Sequence, residues 1–354
     1  MIRIESQLRF WFLAFVVFVA LVWVLKPVLL PFIVGMIVAY FLTPVVDKLA
    51  SRNVPRWVGS LAVLFGFGLI VAAIVTLILP LLESQIGALV NAIPSYIEKL
   101  RAHYVPWFED WLTRFAPEDV EKMRTAAGQS FGEAAGWIAN VLKQMVSGGV
   151  AIIDTLALVI VTPVVAFYLL RDWPKLTSTI DSLFPRRYYD VIRAQLDEVD
   201  TTLSGFIRGQ ALVCVSLGLI YSTGLTLVGL QYGAAIGVTS GVLSFIPYVG
   251  TIFGWIVSLI LALVQFDNDW ARIGMVVGVF YFGHVMEAYV LTPRLVGHRV
   301  NLHPVWIFFA LITGVKLMGF TGVLIAVPVA AVLGVLIRFG VRQYKASAVY
   351  KDTL

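Results

Sequence analysis

The 354-residue chain is 60% hydrophobic and 13% charged, with a formal net charge of +5, about half the charge share of an ordinary water-soluble protein. That balance excludes a soluble two-domain enzyme, and because the basic residues are spread over separate short loops it also excludes a nucleic-acid-binding protein. The single cysteine, Cys214, sits in a charge-free run, which excludes a disulfide framework and a thiolate metal cluster and leaves it a packing role.

Arg3 and Arg9 followed by an apolar run have the outline of a signal peptide. No small-x-small cleavage site follows and hydrophobicity resumes at Pro27, so the segment is expected to be retained and to span. Full spans are predicted at 10–25, 27–46, 57–82, 147–170, 206–230 and 271–291, with two longer apolar stretches at 233–265 and 304–338. Residues 57–82 carry no charge, and neither do the 58 residues from Gly209 to Phe266, enough helix to cross a ~30 Å hydrocarbon core about three times. Between the spans, residues 83–146 read as an external amphipathic helical insert. Ile86, Leu89, Val90, Ile93 and Ile97 keep a helical period, and Trp107, Phe108, Trp111 and Phe115 form an aromatic stripe. That insert is either a cap contacting membrane or subunit, or a helical layer packed on its own bundle. Residues 171–205 read as a cytoplasmic amphipathic linker, 206–340 as the transport core and 341–354 as a cytoplasmic tail.

Sidedness follows from the basic residues of short loops. Arg3 and Arg9, then Lys48, Arg52 and Arg56, then Arg171, Lys175, Arg186 and Arg187, then Arg294 and Arg299, and finally Arg338, Arg342 and Lys345 are placed in the cytoplasm, as are both termini; Asp267 and Asp269 are placed outside. Parity then constrains the long stretches. The chain leaves the cytoplasm near Arg208 and is outside at Gln231 and again at Asp267, so 233–265 must enter the membrane and return. The stretch 304–338 begins and ends beside basic segments and is too long for one upright span and too short for two. Both are predicted to be re-entrant helical hairpins, broken at Pro247-Tyr248-Val249-Gly250 and at Gly314-Val315-Lys316-Leu317-Met318-Gly319. The alternative is a pair of kinked or tilted ordinary spans. Gly233, Gly237 and Gly241, and again Gly250 and Gly254, recur every four residues, a spacing that lets hairpin arms approach closely; Gly274 and Gly278 repeat it in the next helix. The expected fold is thus an all-α polytopic membrane protein with about six full spans, two re-entrant hairpins and an external insert.

A helix end inside a membrane exposes N–H and C=O groups that lipid cannot satisfy, so hairpin tips are candidate solute or ion sites. Glu287 and Lys316 are the ionisable residues expected within spans, where a charge costs at least ~2.5 to 3.5 kcal/mol. Glu287 lies one turn after His284, so the two share a helix face. They form a cation or proton site, or Glu287 is a structural carboxylate paired with Arg294. Three roles are open to Lys316: contact with an anionic substrate, pairing with Glu287, or snorkelling to water. Pro247, Tyr248 and Gly250 at the first tip and Gly314 at the second complete the candidate site, with Gln210, Ser244, Thr251 and Thr313 as uncharged polar residues able to line a cavity. Asp154 is expected to be structural. No GxxxxGK[ST] loop is present, so the driving force is not ATP hydrolysis by this chain in that manner. His284-Val285-Met286-Glu287-Ala288 lacks the second histidine of a zinc protease, and Ser240 with His284 is the one pair that an intramembrane serine protease could use. No enzyme activity, cofactor or metal is expected.

Several ordered blocks resemble the autoinducer-2 exporter family of bacterial inner-membrane permeases. They are Thr162-Pro163 through Phe167-Tyr168-Leu169-Leu170-Arg171-Asp172, then Leu183-Phe184-Pro185-Arg186-Arg187 and Phe206-Ile207-Arg208-Gly209-Gln210. Phe245-Ile246-Pro247-Tyr248-Val249-Gly250 follows, then Glu287 with Leu291-Thr292-Pro293-Arg294-Leu295-Val296-Gly297, Leu302-His303-Pro304, and Gly319-Phe320-Thr321-Gly322 through Ala326-Val327-Pro328. The resemblance covers most of 160–330, and the N-terminal spans fit by hydropathy alone. It implies an inner-membrane permease exporting small signalling molecules or metabolites, some relatives resembling cation/proton antiporters such as Na+/H+ exchangers, and a homo-oligomeric assembly with a pentamer as one form. Relatives often have a Gly-rich stretch where this chain has Lys316, a fixed positive charge that disfavours a bare cation at that tip. A non-transporting membrane scaffold is the reading from a different class.

Overall fold

The computed structural model describes residues 20–115, 152–267, 269–297 and 302–347, with a few isolated positions besides. Among these residues the chain is helical throughout, with no strand. Helix α1 is Leu29–Ala50, α2 is Arg56–Phe115, α3 is Ile152–Ser182, α4 is Tyr189–Val228, α5 is Gly233–Leu243, α6 is Val249–Gln265 and α7 is Trp270–Met286, which passes directly into a π-helical segment, Glu287–Val296; α8 is Pro304–Ala346. Five described segments are long and apolar enough to cross a membrane: Leu29–Ala50, Arg56–Thr76, Arg186–Val228, Trp270–Val296 and Pro304–Ala346. Part of the predicted span 10–25 and the start of 147–170 fall outside the described residues, as does nearly all of the insert beyond Phe115. Asp154 lies on α3.

Two compact units make up the chain. One comprises Met1–Phe67, Ile152–Ile207 and Arg299–Leu354, and the other comprises Gly68–Ala151 and Arg208–His298. In the first, α1 packs along α3. Gly35 brings its backbone against Val165 and the Thr162 carbonyl, and the Thr162 hydroxyl donates to the Pro31 carbonyl at 3.2 Å. Ala39, Leu42, Val46 and Leu170 form the buried cluster, with Val63, Leu64 and Phe67 of α2 against it. Arg56 closes one end, donating to the Leu170 carbonyl at 2.8 Å and to Asp47 at 2.7 Å.

Charged side chains tie the polar ends of these helices together. Arg193 of α4 bridges Asp181 of α3 at 2.8 Å and Asp197 at 3.1 Å, while Glu198 takes Arg342 of α8 at 3.2 Å and Arg338 at 3.8 Å. The Arg171 guanidinium beside Asp172 holds that exposed carboxyl below the usual carboxylate range, chiefly through a direct hydrogen bond. Any stability it adds is present above the ordinary carboxylate pKa and is lost as pH falls through the lowered one.

Both long apolar stretches reverse direction. The first is α5 and α6, packed on each other across a break at 244–248. The second lies within α8. Gly319 has φ +60° and ψ −136°, outside helical space and open to glycine alone without strain. Gly314 and Gly322 meet backbone to backbone, and Leu302 lies against Gly334. A straight helix would hold Leu302 and Gly334 roughly 45 Å apart. The 304–318 arm therefore folds back on the arm beginning at Phe320. Leu302→Cys with Gly334→Cys, in a chain with Cys214 replaced, is expected to cross-link with a short bifunctional thiol reagent. Recovery of only uncross-linked protein would mean that the helix does not turn at Gly319.

Candidate functional site

The second unit packs α4 and α7 against the first hairpin, α5 and α6, and small residues decide how close they come. On α5, Gly237 lies against Tyr221 and Ser222 of α4, Gly241 against Gly218, and Gly233 against Leu225. The four-residue glycine stripe of α5 thus seats that helix on α4 and does not join the two hairpin arms, the role its spacing pointed to. The arms are joined instead by Gly250 and Gly254 of α6, which meet Ser240 and Ser244 of α5. Gly274 and Gly278 have no atom within 4 Å of where a Cβ would sit, so their matching spacing marks no contact here.

Hydrogen bonds hold the break between α5 and α6. Ser244 N–H and its hydroxyl both donate to the Ser240 carbonyl, at 2.9 and 2.8 Å, and Phe245 and Ile246 N–H donate to Val242 and Leu243 carbonyls. The Ser244 carbonyl, left over at the helix end, accepts from Gln210 Nε2 at 2.6 Å in a buried contact. Tyr248 follows Pro247 and begins α6 with φ +70°, a left-handed conformation unusual for a bulky residue and typical of functional positions. Its side chain is exposed at the tip. At the other end of the hairpin, Gln265 ties start to finish: its amide nitrogen donates to the Gly229 carbonyl at 2.7 Å, and its oxygen accepts from Gln231 N–H at 2.7 Å. Gln85 caps the Ala235 N–H at 3.2 Å.

Next to the break lies the carboxyl. Glu287 is half-buried at the α7 to π transition, and its Oε2 accepts from the Thr251 hydroxyl at 3.5 Å. His284 is exposed one turn earlier. Arg294 is exposed, and no ion pair joins it to Glu287 among the described residues. The π-helical segment contains Pro293, which has no N–H to give an α-helical ladder, and its backbone at Leu295 and Val296 rests directly on Gly209 of α4. Tyr221 of α4 stacks on Phe280 of α7 with 4.6 Å between centroids. The Ser240 hydroxyl, without a hydrogen-bond partner among the described residues, lies against Gly254.

The structure therefore brings Gln210, Ser244, Gly250, Thr251 and Glu287 into one neighbourhood, with Pro247 and Tyr248 at its tip and His284 beside Glu287. Thr313, Gly314 and Lys316 belong to the other unit, on the first arm of α8, where Lys316 is exposed three residues before the reversal at Gly319. Tyr221, Gln265 and the π-helical segment are additions that the sequence reading did not single out; of these, only the segment had a visible signal, Pro293.

The family described as AI-2E family transporter matches residues 12–342. The Bacillus subtilis (strain 168) protein named "Putative transport protein YrrI" is 31% identical over 88% of this chain and 86% of its own. "Putative transport protein YueF" of the same organism is 25% identical over 94% and 88%, and "Putative permease PerM" of Escherichia coli (strain K12) is 23% identical over 86% and 85%.

Gly283→Ala would drive a methyl into the Tyr221 ring, and Gly209→Ala would drive one into the Leu295 carbonyl. Each is expected to destabilise the purified protein by about 1–3 kcal/mol, seen as a lower melting temperature, while Gly278→Ala, in open space, is neutral or stabilising. Equal melting temperatures for all three would contradict this packing.

Proposed function

The chain belongs to the AI-2E family of transporters, and we propose that it exports a small polar signalling molecule or metabolite by alternating access, as a secondary transporter of the cell inner membrane with both termini in the cytoplasm. The observation that carries this reading is the Glu287 carboxyl, engaged among the described residues by a single long hydrogen bond from Thr251 and placed beside the break between α5 and α6, two helices without a charged residue. An ionised group at such a position costs at least ~2.5 to 3.5 kcal/mol and is kept for a task. The re-entrant character of the first hairpin is part of the same reading. Helix α5, with 11 residues, is about 16 Å long and cannot cross a ~30 Å core, and Gln265 holds the two ends of the hairpin together.

With no nucleotide-binding loop of the GxxxxGK[ST] kind in the sequence, a gradient or another protein supplies the drive. In proteoliposomes, Glu287→Gln is expected to lower flux of the transported solute roughly tenfold or more, the equivalent of ~1.4 kcal/mol, with the protein still folded. Unchanged flux for a panel of small polar solutes including autoinducer-2 would remove Glu287 from the site. Lys316→Ala is expected to weaken transport of anionic solutes before neutral ones; if every solute moves as before, Lys316 only snorkels or packs.

A second reading, cation/proton antiport with Glu287 as the exchanging carboxylate, is favoured by the carboxylate and hydroxyl pair itself. It requires the lumen to change pH when a cation gradient is imposed, and neutral-solute export does not.

A further inference from the structure

Tyr221 is wholly buried on α4, its ring held between Phe280, on which it stacks, and the backbone of Gly283. Its hydroxyl approaches the Thr251 side chain, and among the described residues no group within hydrogen-bond distance satisfies it. A phenol in that position is costly compared with phenylalanine unless the hydroxyl is used in another state of the protein. Thr251 offers the use. Its one hydroxyl proton is directed at Glu287, and its oxygen retains lone pairs that can accept from Tyr221.

We propose that Tyr221 is a positioning residue of the transport site, forming with Thr251 a two-hydroxyl relay to the Glu287 carboxyl. With the carboxyl ionised, Tyr221 donates to Thr251 and Thr251 to the carboxylate. With a proton bound from solvent, Glu287 donates to Thr251 and the sense of both bonds reverses, the tyrosine oxygen now accepting. The ring stacks on Phe280 and packs against Gly283, so hydroxyl rotation is the movement that the relay uses. The other titratable groups facing Glu287 are His284, on its own helix, and the Cys214 thiol of α4. No charged residue comes from α5 or α6.

The inference rests on the assignment of Glu287 to the transport site, but its test needs no solute. Infrared difference spectra of the full-length protein in lipid nanodiscs are titrated with pH, reading the carbonyl stretch of protonated Glu287, identified by its loss in Glu287→Gln. Tyr221→Phe keeps the ring and removes only the hydroxyl. It is expected to displace the midpoint of that titration by at least about half a pH unit, roughly threefold in proton affinity. Thr251→Val should displace it too, and the double variant no further than Thr251→Val alone, because the relay runs through the threonine. A midpoint in Tyr221→Phe equal to that of the unsubstituted protein overturns the proposal, as does additivity in the double variant. Either result leaves the flux assay of Glu287→Gln to decide the transport assignment separately.

Discussion

A helix that stops among apolar side chains leaves carbonyl and N–H groups that those side chains cannot satisfy, and the second unit meets that demand at the break between α5 and α6. Gln210 reaches from α4 to the Ser244 carbonyl at the end of α5, Ser244 bonds back to Ser240, and Gln265 and Gln85 serve the opposite end of the hairpin. These polar side chains are bearable because glycines let the backbones approach until little apolar surface is left between them. Gly250 and Gly254 put α6 on α5, while Gly237 and Gly241 put α5 on α4. The same close packing leaves Glu287 beside the break with only Thr251 engaged among the described residues.

The π-helical segment extends this logic to α7. Pro293 cannot continue an α-helical ladder, and the widened turns carry Leu295 and Val296 onto Gly209. Glu287 stands at the transition, where backbone hydrogen bonding changes pattern and where departures from α geometry are often functional. The three helices that frame the carboxyl are therefore held by contacts that tolerate no added methyl group, and small displacements there are transmitted rather than absorbed.

Much of this was readable from residues alone, for physical reasons that can be named. The alternation of basic and acidic loops led to the expectation that 233–265 enters and returns, with Pro247 and Gly250 marking a break; the chain does break there, at 244–248. Gly319 marked the second reversal because few other residues could take its conformation. Helix limits were less legible. α2 runs on from Arg56 to Phe115 and α4 from Tyr189 to Val228, across the hydropathy edges that suggested separate segments, since polar amphipathic sequence continues a helix as readily as apolar sequence does. Partners were the least legible. The spacing of Gly233, Gly237 and Gly241 showed that something packs closely but not that it is α4, and nothing in the local sequence distinguishes Tyr221 from any aromatic of a membrane helix.

Reporter fusions after Gln231 and after Asp267 test the reversal of the first hairpin most directly, because the two positions bracket it and nothing else. Both reporters should be active on the same, external side of the membrane. Activity on opposite sides would show that 233–265 crosses the bilayer as an ordinary span, and the placement of Glu287 beside a membrane-embedded tip would fall with it.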